Sequence, residues 1–154
     1  MSATGCALET PHQGVETRTE SLRAPVLWGV VVGVLQAASP AVFWWLDQTL
    51  VWAVALVIIA PVYVGLAVAD GRSMVIAVET SVAFAFIILA LTGIKASPWL
   101  VVIGLVGHGA KDLWQHRTHF VANTRWWPPF CLVVDFVAAS AIALLLLTGV
   151  DPSG

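Results

Sequence analysis

Charge is what this chain has least of. Only 10% of its 154 residues are Asp, Glu, Lys or Arg, against about a quarter in an ordinary soluble domain. Hydrophobic residues make up 59%, and a soluble chain this apolar would expose patches large enough to aggregate. The seven Lys and Arg form no basic run and the formal net charge is −2, which argues against nucleic acid as a partner. Cysteine is equally scarce. Cys6 lies in a polar stretch and Cys131 in an apolar one, so neither a metal knuckle nor a disulfide is expected. Transmembrane strands would need roughly nine to eleven residues of alternating polarity, and no such alternation occurs.

Long apolar runs are what is present instead. Five can be read, at about 25–46, 49–69, 74–93, 98–116 and 129–150. Each is about 20 residues, enough at 1.5 Å per residue to cross a ~30 Å hydrocarbon core. The expectation is an all-α polytopic membrane protein with a five-helix transmembrane domain over 24–150. A flexible polar tail is expected over 1–23 and a short tail over 151–154. The breaks between runs are short, so successive helices should be antiparallel. Pro40 and Pro61 fall inside runs and should kink them. Ala37-Ala38-Ser39 has the look of a signal-peptidase site, but the run is long and continues into Phe43-Trp44-Trp45, which favours a retained span.

With the N-terminus in the cytoplasm, Arg18, Arg23, Arg72, Lys111, Arg117 and Arg125 fall inside and Lys95 alone falls outside. That bias sets the expected orientation, with the C-terminus outside, as in a multi-pass protein of a bacterial inner membrane. Trp28, Trp44, Trp45, Trp52, Trp99, Trp126 and Trp127 lie near run ends, where interfacial belts form.

The fourth run carries the chemistry. His108, Asp112, His116 and His119 fall within an arc of about 80° at helical spacing, with Gln115 beside them. Glu79 on the third run and Asp135 on the fifth lie at a similar depth from the inner end. A charge in hydrocarbon costs at least ~2.5–3.5 kcal/mol on insertion scales, so three acids at one depth should meet each other, water, a cation or a ligand. The expectation is a polar pocket open to the cytoplasm. Gln36, Tyr63 and Gln115 would line it for a substrate. Glu79, His108, Asp112 and Asp135 are the candidate catalytic groups. Asp112, His116, His119 and Asp135 are the candidate metal ligands, since His and carboxylate suit zinc or non-haem iron.

Plainer readings stand beside these. His116 and His119 would serve as helix-end and headgroup contacts. His108 and Asp112 would form a structural hydrogen-bonded pair. Glu79 or Asp135 would pair with Lys111 or Arg125. Gln36 would bind a neighbouring helix, with Gly29 and Gly33 allowing close approach, and Tyr63 would simply pack.

The stretch from Gly107 to Ala138, through His108-x3-Asp112-x3-His116, Trp127-Pro128-Pro129-Phe130-Cys131 and Asp135, resembles a small family of bacterial integral membrane proteins. That resemblance implies a membrane bundle and no particular activity. In size, helix count and Trp content the chain is also similar to the tryptophan-rich sensory (translocator) proteins, an analogy of architecture alone. Three functions fit. The first is a metal-assisted or acid–base enzyme acting on a lipid or isoprenoid-like molecule. The second is a proton-coupled or cation transporter. The third is a binding or assembly subunit, which includes a homo-oligomer.

Overall fold

The computed structural model describes residues 12–122 and 124–149, with side chains from residue 22 onward. The described residues are helical, with no strand. They form α1 (His12–Ala38), a 3-10 turn (Ser39–Ala41), α2 (Gln48–Ile59), α3 (Val62–Asp70), α4 (Ser73–Ala96), α5 (Trp99–Thr118) and α6 (Trp127–Leu147). Helices α2 and α3 are two halves of one span, Gln48–Asp70, so the architecture is a bundle of five. Four are long and apolar enough to cross a membrane. The fifth, α5, is long enough but too polar by that measure, because it carries His108, Lys111, Asp112, Gln115, His116 and Arg117.

Pro40 and Pro61 interrupt helix, consistent with their missing N–H, whereas Pro25 lies within the unbroken α1. The first run, expected to reach residue 46, stops at Ala38, and Pro40 sits in the 3-10 turn. The chain then stays irregular until Asp47, whose carboxylate accepts the Leu50 N–H at 2.8 Å and starts α2. Pro61 separates α2 from α3. Of the expected N-terminal tail, residues 1–11 lie outside the described residues, and helix begins at His12. Residues 150–154 also lie outside them.

Hydrogen bonds fix which ends lie together. Arg72 donates to both oxygens of Asp70, at 2.6 and 2.8 Å, and to the Phe120 carbonyl at 2.6 Å. The Ala122 N–H donates to Asp70 at 2.7 Å. The α3–α4 turn and the α5–α6 connection therefore share one end, here called the basic end. The antiparallel order follows.

In a bilayer, helices associate through close packing and hydrogen bonds rather than through exclusion from water. Helix α1 lies mainly on α6, and α5 lies on both α6 and α4. At the α1–α6 contact, a Cβ on Gly29 would come within 2.8 Å of the Phe130 carbonyl oxygen and Val133 Cβ. A Cβ on Gly33 would come within 2.8 Å of Val137 Cβ. Away from the basic end, Trp52, Leu56, Val101, Leu105, Ala138 and Ile142 form an apolar layer. A smaller cluster of Tyr63, Ala67, Val75 and Val121 closes the basic end. Phe84, Ile88, Leu91, Leu144 and Leu147 point outward and are exposed, as lipid-facing side chains are.

Two glycine substitutions should separate packing from propensity. Gly33→Val forces α1 off α6 and should cost about 1–3 kcal/mol. Gly65→Ala has nothing within 4 Å of the added Cβ and should be neutral or stabilising by up to about 1 kcal/mol. Thermal unfolding in detergent, read by near-UV circular dichroism, checks both. Equal melting points for the two variants would contradict the assigned α1–α6 contact.

Candidate functional site

Helices α5 and α6 together form one buried polar group. His108 follows the apolar residues Val101 and Leu105 on the same side of α5, and Asp112 and Gln115 continue that side toward the basic end. Gly109 allows α6 to come close, since a Cβ there would lie 3.0 Å from the Phe136 ring and 3.3 Å from Asp135 Cβ. The approach brings Asp135 Oδ2 to 2.8 Å from His108 Nδ1. Asp112 Oδ2 lies 3.4 Å from the same nitrogen. One ligand atom from each of His108, Asp112 and Asp135 can be chosen so that all lie within 4.8 Å of one another.

Aromatic rings wall this group. Phe86 of α4 meets the His108 ring edge-on at 5.1 Å, and Tyr63 of α3 stands 6.3 Å away on a tilt. His108, Asp112 and Asp135 are all buried, yet His108 Nε2, both oxygens of Asp112 and Asp135 Oδ1 have no hydrogen-bond partner. Buried polar atoms are nearly always paired, so four orphans in one place mark an incomplete site.

Glu79 belongs to an adjoining but different constellation. Its Oε2 pairs with Lys111 Nζ at 2.6 Å, and its Oε1 accepts a short hydrogen bond from Gln115 Nε2. Lys111 also sits 3.5 Å from the centre of the Tyr63 ring, a cation–π contact. Gln115 Oε1 accepts the Val121 N–H at 3.2 Å. Glu79 is therefore a saturated structural partner, whereas Asp112 is not.

The expected opening to the basic end is closed in this structure. At the end of α5, His119 adopts a left-handed conformation (φ 51°) and its N–H bonds the Gln115 carbonyl at 2.8 Å. The chain then folds back over the bundle. Val121 is buried against Tyr63, Ala67 and Val75, and buried Thr124 donates to the Val121 carbonyl at 3.0 Å.

Three sequence expectations are corrected by this geometry. His116 and His119 do not join Asp112 and Asp135. Their rings lie 6.4 Å apart at the basic end, with His119 exposed. The helical count fails for His119 because α5 ends at Thr118, and His116 lies at the edge of the buried arc. His108 takes their place beside the two acids. Gln36 is also absent from the site, because α1 packs mainly on α6. It lines a separate groove between α1 and α2. Phe86 was missed, although it lies seven positions after Glu79 on the same face of α4. Tyr63 stands beside His108, whereas Gln115 bonds Glu79 and Val121. Cys131 is a buried thiol on α6, and Cys6 lies outside the described residues.

Comparison with known proteins finds no matching family model, no matching curated protein and no matching solved structure. The chemistry is therefore argued from the geometry alone.

The Glu79–Lys111 pair gives a direct test. Lys111→Met leaves a buried carboxylate short of its cation and should destabilise the bundle by about 3–5 kcal/mol. Adding Glu79→Gln should restore more than half of that loss, with Gln115 still bonded. A double-mutant cycle on thermal stability reads the coupling. Additive losses would mean that the pair is not formed.

Proposed function

We propose that this multi-pass protein holds one divalent transition ion, zinc or ferrous iron, between His108, Asp112 and Asp135, and uses that centre for metal-assisted or acid–base chemistry on a lipid or isoprenoid-like molecule. The observation that carries the reading is Asp112. Its side chain is fully buried, neither oxygen has a hydrogen-bond partner, and it sits beside a second carboxylate and an imidazole. An unpartnered buried carboxylate costs several kcal/mol, which a bound cation removes. With His108 neutral, Asp112 and Asp135 bring two negative charges, and one divalent ion cancels both. Ligand atoms around tetrahedral zinc at ordinary bond lengths lie roughly 3.4 Å apart. The His108 Nδ1–Asp112 Oδ2 separation of 3.4 Å matches that spacing, and ligand atoms of all three residues lie within 4.8 Å of one another. Three protein ligands would leave the fourth position for water or substrate, the usual arrangement of a catalytic ion.

The membrane in question is the inner membrane of a bacterium, with the basic end in the cytoplasm. The inside bias of the Lys and Arg residues supports that orientation.

A proton-coupled or cation transporter is the second reading. One observation favours it. The polar group lies between the apolar layer of Trp52, Leu105 and Ile142 and the folded-back segment at Val121, a closed arrangement that alternating access requires at one stage.

Elemental analysis of protein purified in detergent separates the readings. About one zinc or iron per chain is expected, as for a three-ligand site. Asp112→Asn and Asp135→Asn should each lower the content at least about tenfold at fixed metal concentration. His116→Ala and His119→Ala should leave it unchanged. Metal-free wild-type protein, combined with proton-driven uptake into liposomes, would replace the first reading with the second.

A further inference from the structure

The end opposite the basic end carries a different kind of site. Between the 3-10 turn and α2 the chain is irregular, and it presents two neighbouring cavities. The first, of about 610 Å³, is bounded by Trp44, Trp45, Trp52, Pro40 and Asp47. The second, of about 400 Å³, is a groove almost wholly apolar in lining, running along Phe43, Leu50, Val54 and Ile58. Leu46 belongs to both.

The first cavity has the features of a cation cage. The Trp44 and Trp45 rings meet edge to face, at 87° with centres 6.0 Å apart, and both line the cavity. Trp52 supplies the buried wall, its indole N–H bonded to the Ala37 carbonyl at 3.1 Å. Aromatic faces attract ammonium groups, and quaternary ammonium recognition by such cages is their characteristic use. Asp47 adds a full negative charge. Its Oδ1 accepts the Leu50 N–H, and among the described residues it has no Lys or Arg partner.

We propose that this end seats one phospholipid with an ammonium headgroup of the ethanolamine or choline type. The ammonium lies in the cavity lined by Trp44, Trp45 and Trp52, beside Asp47, and one acyl chain lies along the Phe43–Ile58 groove. The groove is the reason for choosing a lipid over a free amine, since it continues from the cage through Leu46 and offers apolar surface to a chain. The site is separate from the His108 cluster and stands without it.

Native mass spectrometry of the full chain in detergent tests the idea. Phosphatidylethanolamine, phosphatidylcholine and phosphatidylglycerol with identical chains are offered at equal concentration. The two ammonium lipids should be retained over phosphatidylglycerol by about tenfold, the gain of a partly desolvated cation–π cage with a carboxylate. Trp44→Leu and Asp47→Asn should each reduce that preference to about threefold or less. Trp44 is 79% exposed, so its loss disturbs no packing. If Asp47→Asn weakens the start of α2, Trp44→Leu decides alone. Glycerophosphocholine, which has the headgroup without chains, should bind at least about a hundredfold more weakly than the lipid. Equal retention of the three lipids, or a preference that Trp44→Leu leaves intact, overturns the proposal. So does glycerophosphocholine binding as tightly as the lipid, which would make the cage a site for soluble amines.

Discussion

A carboxylate taken into a bilayer must find a partner, and the bundle is arranged around that need. Asp135 finds the His108 imidazole, and Glu79 finds Lys111 and Gln115. Each of these contacts crosses between helices. Helix α5 is held to α4 by one ion pair and to α6 by one imidazole–carboxylate bond. In a medium that offers no hydrophobic drive between helices, such bonds and close glycine contacts set the register. Asp112 has only a 3.4 Å approach to the His108 imidazole and no hydrogen bond, which is why it and not the better-bonded Glu79 defines the site.

The two constellations divide the work. Glu79, Lys111, Gln115 and Tyr63 are saturated with one another and with the Val121 N–H, except for the Tyr63 hydroxyl. They brace the basic end. His108, Asp112 and Asp135 keep unpaired atoms. A saturated group beside an unsatisfied one is the arrangement a ligand site needs, because the first holds the helices while the second keeps free lone pairs.

Much of this was legible beforehand. The apolar runs and their short breaks gave the helices and their antiparallel order. The improbable acids at 79, 112 and 135 marked the region of the site. The composition of the His–Asp–Asp group was less legible, for two reasons. Helical periodicity locates a face only while the helix lasts, and His119 lies beyond its end. Moreover, a depth count places Gln36 with the others but cannot tell that α1 packs mainly on α6. The closure at Val121 and Thr124 was invisible, since it depends on a left-handed His119 and on hydrogen bonds from Arg72 and Ala122 that join positions far apart in the chain. The break after Ala38, by contrast, follows from Pro40 and its consequence for the Trp44–Asp47 segment could be seen only in three dimensions.

The polarity of α5 bears on how the molecule is made. The other four helices are long and apolar enough to cross a membrane, and α5 is too polar by the same measure. Its Lys111 is neutralised by a helix synthesised before it and its His108 is bonded by one synthesised after it. The charges that set α5 apart from the other helices are thus matched only within the assembled bundle, by one carboxylate on α4 and another on α6.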